Sequence, residues 1–180
     1  MGMLKVDVLG HAVTSTRCSA DGNAVLVSCL DGWIRMVDRA DGRVLKGFGG
    51  GNGGGGGAIG PVGYINKALR IRSTFAKGDS VVLSGSESIE GAEALVFAWD
   101  VLTGHVVATV PAGEAVKVVS CVAWNEKGGS WAGGCSDGKS SLFSCSLAFL
   151  CLVFILSFIY WAYSYHLTSR RPGSATWMDR

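Results

Sequence analysis

Residues 95–107 read LVFAWDVLTGHVV, and residues 33–45 read WIRMVDRADGRVL. Each is a short run of apolar and β-branched residues closed by an Asp. A Gly follows four residues later (Gly104 after Asp100, Gly42 after Asp38), and then a second apolar run. Runs rich in Val, Ile and aromatics make strands. A Gly beside Asp or Thr supplies the positive φ of a tight hairpin turn. The spacing therefore predicts the same strand–turn–strand unit twice.

Small-residue segments precede both runs: Val27-Ser28-Cys29-Leu30-Asp31-Gly32 and Ser84-Gly85-Ser86-Glu87. A third copy is visible as Ala132-Gly133-Gly134-Cys135-Ser136-Asp137-Gly138, followed by residues 139–143. Asp-Gly pairs stand at Asp21-Gly22, Asp31-Gly32, Asp41-Gly42 and Asp137-Gly138. Turn signals every 8–12 residues indicate an all-β chain, and the third copy ends about 44 residues after Asp100, near the period of a propeller blade. The interval from Asp38 to Asp100 is longer because of two insertions, the glycine-rich run 47–60 (GFGGGNGGGGGAIG) and Ser88–Glu93. Both are expected in loops, where added length costs little.

These residues carry a resemblance. Gly10-His11, Ser19-Ala20-Asp21-Gly22, Ser28-Cys29-Leu30-Asp31-Gly32 with Ile34-Arg35-Met36-Val37-Asp38, and above all Phe97-Ala98-Trp99-Asp100 resemble WD repeats. The resemblance covers about residues 3–143. It implies an all-β fold, an incomplete β-propeller of about three blades, and a scaffold that binds other proteins. The order of the units is similar to the last three blades of a seven-bladed member that holds kinase-pathway components and is also associated with the spliceosome. Carried over residue by residue, the repeat's structural positions are His11, Asp31, Asp38, Trp99, Asp100 and Asp137.

The departures matter. A full repeat often joins His, Ser or Thr, Asp and Trp in one buried network. The first unit has His11 and Asp31 but Val37 for the Trp. The second has Trp99 but Glu87 for the Asp. The third has Asp137 but Phe143 for the Trp. No unit carries the whole network, so apolar packing is expected to dominate. Three blades fall short of the 4–8 of a closed propeller and leave two open sheet flanks.

Composition sets outer limits. The chain has 180 residues, 27 of them Gly, 48% hydrophobic and 17% charged, with a net charge of +2. A disordered polyelectrolyte is excluded by the hydrophobicity, and collagen by the missing Gly-X-Y period. A near-neutral chain gives no electrostatic case for nucleic acid. Six cysteines (Cys18, Cys29, Cys121, Cys135, Cys145 and Cys151) show no zinc-type spacing. For the first four, which sit in strand-like runs, the expectation is buried free thiols in a reducing compartment. The start, MGMLKVDVLGH, lacks a signal-peptide core, and Val6 stands where myristoylation wants Ser or Thr. A cytoplasmic or nuclear location follows as the expectation.

Residues 144–165 form an apolar segment, followed by a polar tail, 166–180. Helix over 142–163 would span about 33 Å, enough for a bilayer core, with Tyr160, Trp161, Tyr163 and Tyr165 as an interfacial cluster. The run begins inside the third unit's last strand, so it admits three readings: a tail anchor, a reading frame that departs near Phe143, or a buried helix. The anchor gives the alternative of a membrane-tethered WD-repeat chain.

Catalytic signals are thin. Gly133–Ser140 fits the phosphate-loop string, a remote nucleotide-binding alternative, yet Asp137-Gly138 coincides with a hairpin turn and the required helix is not predicted. Gly49, Gly51 and Gly54 fit GxGxxG only as any Gly run does. His11, His105 and His166 are scattered, and no nucleophile has a base partner. Neither an enzyme nor a cofactor or metal is expected. Binding remains: Trp33 follows a turn where repeats usually carry Thr, and with Arg35 it makes a candidate protein contact at a propeller rim. Packing on a neighbouring blade is the competing reading for Trp33. Trp124 and Trp131 are expected in the core.

Overall fold

The computed structural model describes residues 10–49, 63–89, 92–138 and 140–144. These form eleven strands and no helix. Blade one is β1 (Val13–Cys18), β2 (Ala24–Cys29), β3 (Trp33–Asp38) and β4 (Val44–Gly49); blade two is β5 (Ser73–Ala76), β6 (Val81–Gly85), β7 (Leu95–Asp100) and β8 (Val106–Pro111). Blade three holds β9 (Val119–Asn125), β10 (Ser130–Cys135) and β11 (Ser140–Ser144). Each sheet is an antiparallel meander in chain order. The sheets stack through their first strands: β5 packs on β1 and β2, and β9 packs on β5 and β6.

The turns follow the chemistry of the repeat. Gly22, Gly32, Gly42, Gly104 and Gly138 all have positive φ. Asp38 Oδ1 accepts the Ala40 N–H at 2.6 Å, and Asp100 Oδ1 accepts both the N–H and the hydroxyl of Thr103 at 2.7 Å. The Asp of the Trp-Asp pair thus builds the turn that reverses the chain into the outer strand. Asp137 lies in the β10–β11 turn.

Paired residues share a face and successive residues alternate, so each sheet has two faces. Leu26, Ile34 and Phe48 of blade one meet Phe75, Val82, Phe97 and Trp99 of blade two, with Tyr64 between them. Trp99 is 2% exposed; Phe97 stacks on it at 5.4 Å, and Tyr64 meets its edge at 5.3 Å. The other face of blade two meets blade three through Leu83, Val96, Val119, Val122 and Trp131, with Trp124 packed alongside. Trp131 is a core residue, as expected, whereas Trp124 is half-buried at the edge of the core.

Several expectations change. The glycine run begins inside β4, since Gly47–Gly49 are strand residues. Gly47 lies beneath the Trp33 ring, where a side chain would crowd it. Residues 50–60 lie outside the described residues. Cys29 is buried and Cys135 half-buried, but Cys18 and Cys121 are exposed, and Cys18, Cys29 and Cys121 are free thiols. The two exposed ones lie on the outward faces of blades one and three. Apolar packing is not the whole of the stacking either. Ser28 and Ser73 hydroxyls join the first two blades at 2.6 Å, and the Thr14 hydroxyl donates to the Ile71 carbonyl at 2.9 Å.

Leu142–Ser144 lie in β11, so the 142–163 span and the 144–165 segment both start in a strand. The rest of that segment, Cys145 and Cys151, and the polar tail 166–180 are outside the described residues. Among the described residues no helix is long and apolar enough to cross a membrane.

Candidate protein-interaction site

The Asp31-Gly32 turn between β2 and β3 organises the candidate site. Gly32 adopts φ 80° and donates its N–H to the Asn66 carbonyl at 3.1 Å. Asp31 Oδ1 accepts the Trp33 N–H at 3.0 Å, and Arg35 Nη2 donates to Asp31 Oδ2 at 2.5 Å. One carboxylate therefore fixes both the start of β3 and the guanidinium four residues on. Burial works to raise the Asp31 carboxyl. The Arg35 and Trp33 hydrogen bonds and the Arg35 charge outweigh it, and the group is held below its ordinary value. The same pairing, opposed by burial, raises Arg35. Burial and the Asp31 charge push the Cys29 thiol up.

His11 does not join Asp31 in a buried network. It is exposed and reaches Asp31 only as a nearby charge, because Arg35 already takes the carboxylate. The acidic position of the second unit works differently. Glu87 Oε1 accepts the N–H groups of Lys67, Ala68 and Leu69, each at 2.8 Å. The longer Glu side chain reaches the backbone that leads into β5. Its displacement of the usual Asp was the sequence signal, but the partners it clamps were not legible.

Trp33 is half-buried. It ends a groove of about 420 Å³ lined by Val44, Lys46 and Gly47 of β4 and by Thr103 and Gly104 of blade two's outer turn. Its ring lies over its own blade's edge strand and borders a groove shared with the next blade. Arg35 Nη1 is buried without a hydrogen-bond partner among the described residues. Trp33 and Arg35 are thus brought together by Asp31, while Trp99 packs in the core and Asp38 and Asp100 hold their turns.

The phosphate-loop string is an antiparallel hairpin. Gly133–Cys135 lie in β10 and Ser140 in β11, where a nucleotide loop would need a helix. Among the described residues no group of three His, Cys, Asp or Glu is placed to hold a metal ion.

No family model matches the sequence. WD repeat domain-containing protein 83 of Danio rerio is 30% identical over 116 residues, covering 64% of this chain and 31% of that protein. The Homo sapiens protein of the same name is 29% identical over the same extent. An uncharacterised WD repeat-containing protein of Schizosaccharomyces pombe is 29% identical over 99 residues, covering 55% of this chain and 27% of its own. The chain thus spans about a third of the length of the curated relatives it matches. The solved structure of U3-55K superposes with a TM-score of 0.60 at 15% identity, over 78% of this chain and 38% of that one. Its identity is low enough that it bears on the fold alone. Strand order, blade stacking and sequence converge: the chain resembles WD-repeat proteins, and its described residues fold as stacked β-propeller blades.

Proposed function

We propose that the chain is a non-enzymatic scaffold that binds other proteins, and that Trp33 and Arg35 mark one contact site. The observation that carries this is a half-buried Trp at the end of a groove spanning two blades, beside a guanidinium held in place by Asp31. Trp and Arg dominate protein–protein hot spots because they combine large contact area with directional donors. A rigid sheet presents them at little ordering cost.

The partner class rests on resemblance. Kinase-cascade components come first, with splicing-complex components second, in the cytoplasm or nucleus. Affinity capture of the full chain, quantified by mass spectrometry, tests it. Wild type is expected to recover proteins of one of these classes, and Trp33→Ala to deplete them about tenfold, a hot-spot loss of ~1.4 kcal/mol or more. Equal recovery by both would remove the site. Recovery of neither class would remove the partner assignment.

A further inference from the structure

We infer that the groove at Trp33 takes an extended acidic peptide, laid along the outer edge of β4 with a carboxylate at Lys46 and a bulky apolar side chain against Trp33. The inference rests on the reading of Trp33 as a protein contact and names the kind of partner that fits there.

β4 is the last strand of its sheet, so among the described residues no strand pairs with its outer edge. Such an edge carries backbone N–H and C=O groups that an incoming extended chain can pair with. Across the groove stands the turn of blade two that holds Thr103 and Gly104. Two glycines keep the space between them open. A Cβ on Gly104 would come within 3.2 Å of the Lys46 side chain, and one on Gly47 within 3.2 Å of the Trp33 ring. Glycine inside a strand marks a place where another backbone can approach closely. The volume of about 420 Å³ is small for a ligand site. It holds a few side chains of a peptide rather than the face of a folded domain.

The lining is apolar with one cation. Val44 and Leu45 are exposed, and Leu102, next to Thr103, is 84% exposed. A register shift leaves Leu45 without a partner in β3, the kind of bulge that re-aims a side chain. Aliphatics grouped in this way mark a contact surface. Among the described residues, Lys46 is the only charged one in the lining, and it has no ion pair. Neighbouring charges are already matched: Arg35 by Asp31, Arg43 by Asp41, and the Asp100 carboxylate by the N–H and hydroxyl of Thr103. The unmatched ammonium therefore selects an acidic occupant. Register places that acid. Gly47 pairs with Arg35 and Lys46 with Met36, so the two positions face opposite sides of the sheet, Gly47 towards the Trp33 ring. In an added strand, the residue opposite Gly47 meets Trp33, and its neighbour opposite Lys46 meets the ammonium. The peptide thus carries Asp or Glu beside a bulky apolar residue.

Selection of a phage-displayed random dodecapeptide library on the full chain, followed by fluorescence polarisation of the enriched peptide, tests the inference. Enriched sequences are expected to carry an acidic residue next to Leu, Ile, Phe or Trp. Lys46→Met, which keeps the stem and removes the charge, is expected to raise Kd at least tenfold, and selection on Lys46→Glu to enrich Lys or Arg at the acidic position. N-methylation of the alternate peptide amides that face β4 is expected to abolish binding, and of the intervening ones to spare it. Circular dichroism melts confirm that the variants fold; Lys46→Gln replaces Lys46→Met if it does not. Enriched peptides without the acid, or indifference to every N-methyl group, would overturn the inference. So would the absence of any enriched peptide, which would leave the groove to a folded partner. Loss of binding in Trp33→Ala but not in Lys46→Met would keep the Trp33 contact and remove the acidic peptide. A peptide indifferent to both variants binds elsewhere and overturns the occupant, while protein capture by Trp33→Ala still decides the contact.

Discussion

Asp31 shows how much one side chain decides. Its carboxylate holds the Trp33 N–H and the Arg35 guanidinium, and the pair is largely shielded, with side-chain exposures of 9% and 21%. Asp31→Asn is expected to cost about 1–3 kcal/mol near pH 7, as for a hydrogen bond to a charged group, measured by urea unfolding. The pH dependence carries a sign. The folded-state carboxyl is held below its ordinary value, so its contribution is complete above that value. It is lost as pH falls from ~4 through the lowered one. Wild type should lose stability over that acid window, and Asp31→Asn should lose less there. The importance of Asp31 was legible in the sequence from its turn. Its partner was not: the repeat pattern pointed to His11, and only the strand geometry brought Arg35 onto the carboxylate.

Among the elements, the small residues of the strands set how closely blades approach. A Cβ on Gly85 of β6 would collide with the Val119 carbonyl of β9. Backbone cannot yield there as a side-chain end can, so Gly85→Ala is expected to cost about 1–3 kcal/mol as an overpacked contact. It should destabilise the blade two–three interface first, read as faster hydrogen exchange in β9 and β10. Gly134 looks similar in sequence yet meets only the Cys121 and Ser120 side chains, so Gly134→Ala should cost less. Glu87 acts at the same scale. Glu87→Ala removes the acceptor of three N–H groups and is expected to raise exchange at Lys67–Leu69 at least tenfold while the strands keep their protection. Strand positions and turn types could be read from local patterns, because hairpins are made by neighbours in sequence. The Glu87 clamp joins segments about twenty residues apart, which no local pattern encodes.

Across the whole molecule, the aromatic cluster around Trp99 joins blades one and two. Phe48 and Tyr64 approach its ring from the blade-one side and the linking segment, and Phe97 stacks beneath it. Trp99→Ala is expected to cost about 3–5 kcal/mol and to lower the thermal midpoint sharply. Trp33→Ala is half-buried at an edge groove and should shift that midpoint little while it impairs partner capture. This contrast between two tryptophans separates scaffold from site.

By itself, the order of apolar runs, Asp and Gly determined the all-β class, the blade period and the role of Asp38, Asp100 and Trp99. These follow from strand propensity and turn stereochemistry, which act over a few residues. Tertiary structure alone decided that His11 stays outside, that Arg35 claims Asp31, that Cys18 and Cys121 face outward, and that Trp33 borders a groove built partly from the next blade. Those outcomes depend on which faces meet when sheets stack, and stacking joins residues whose separation along the chain leaves no periodic trace.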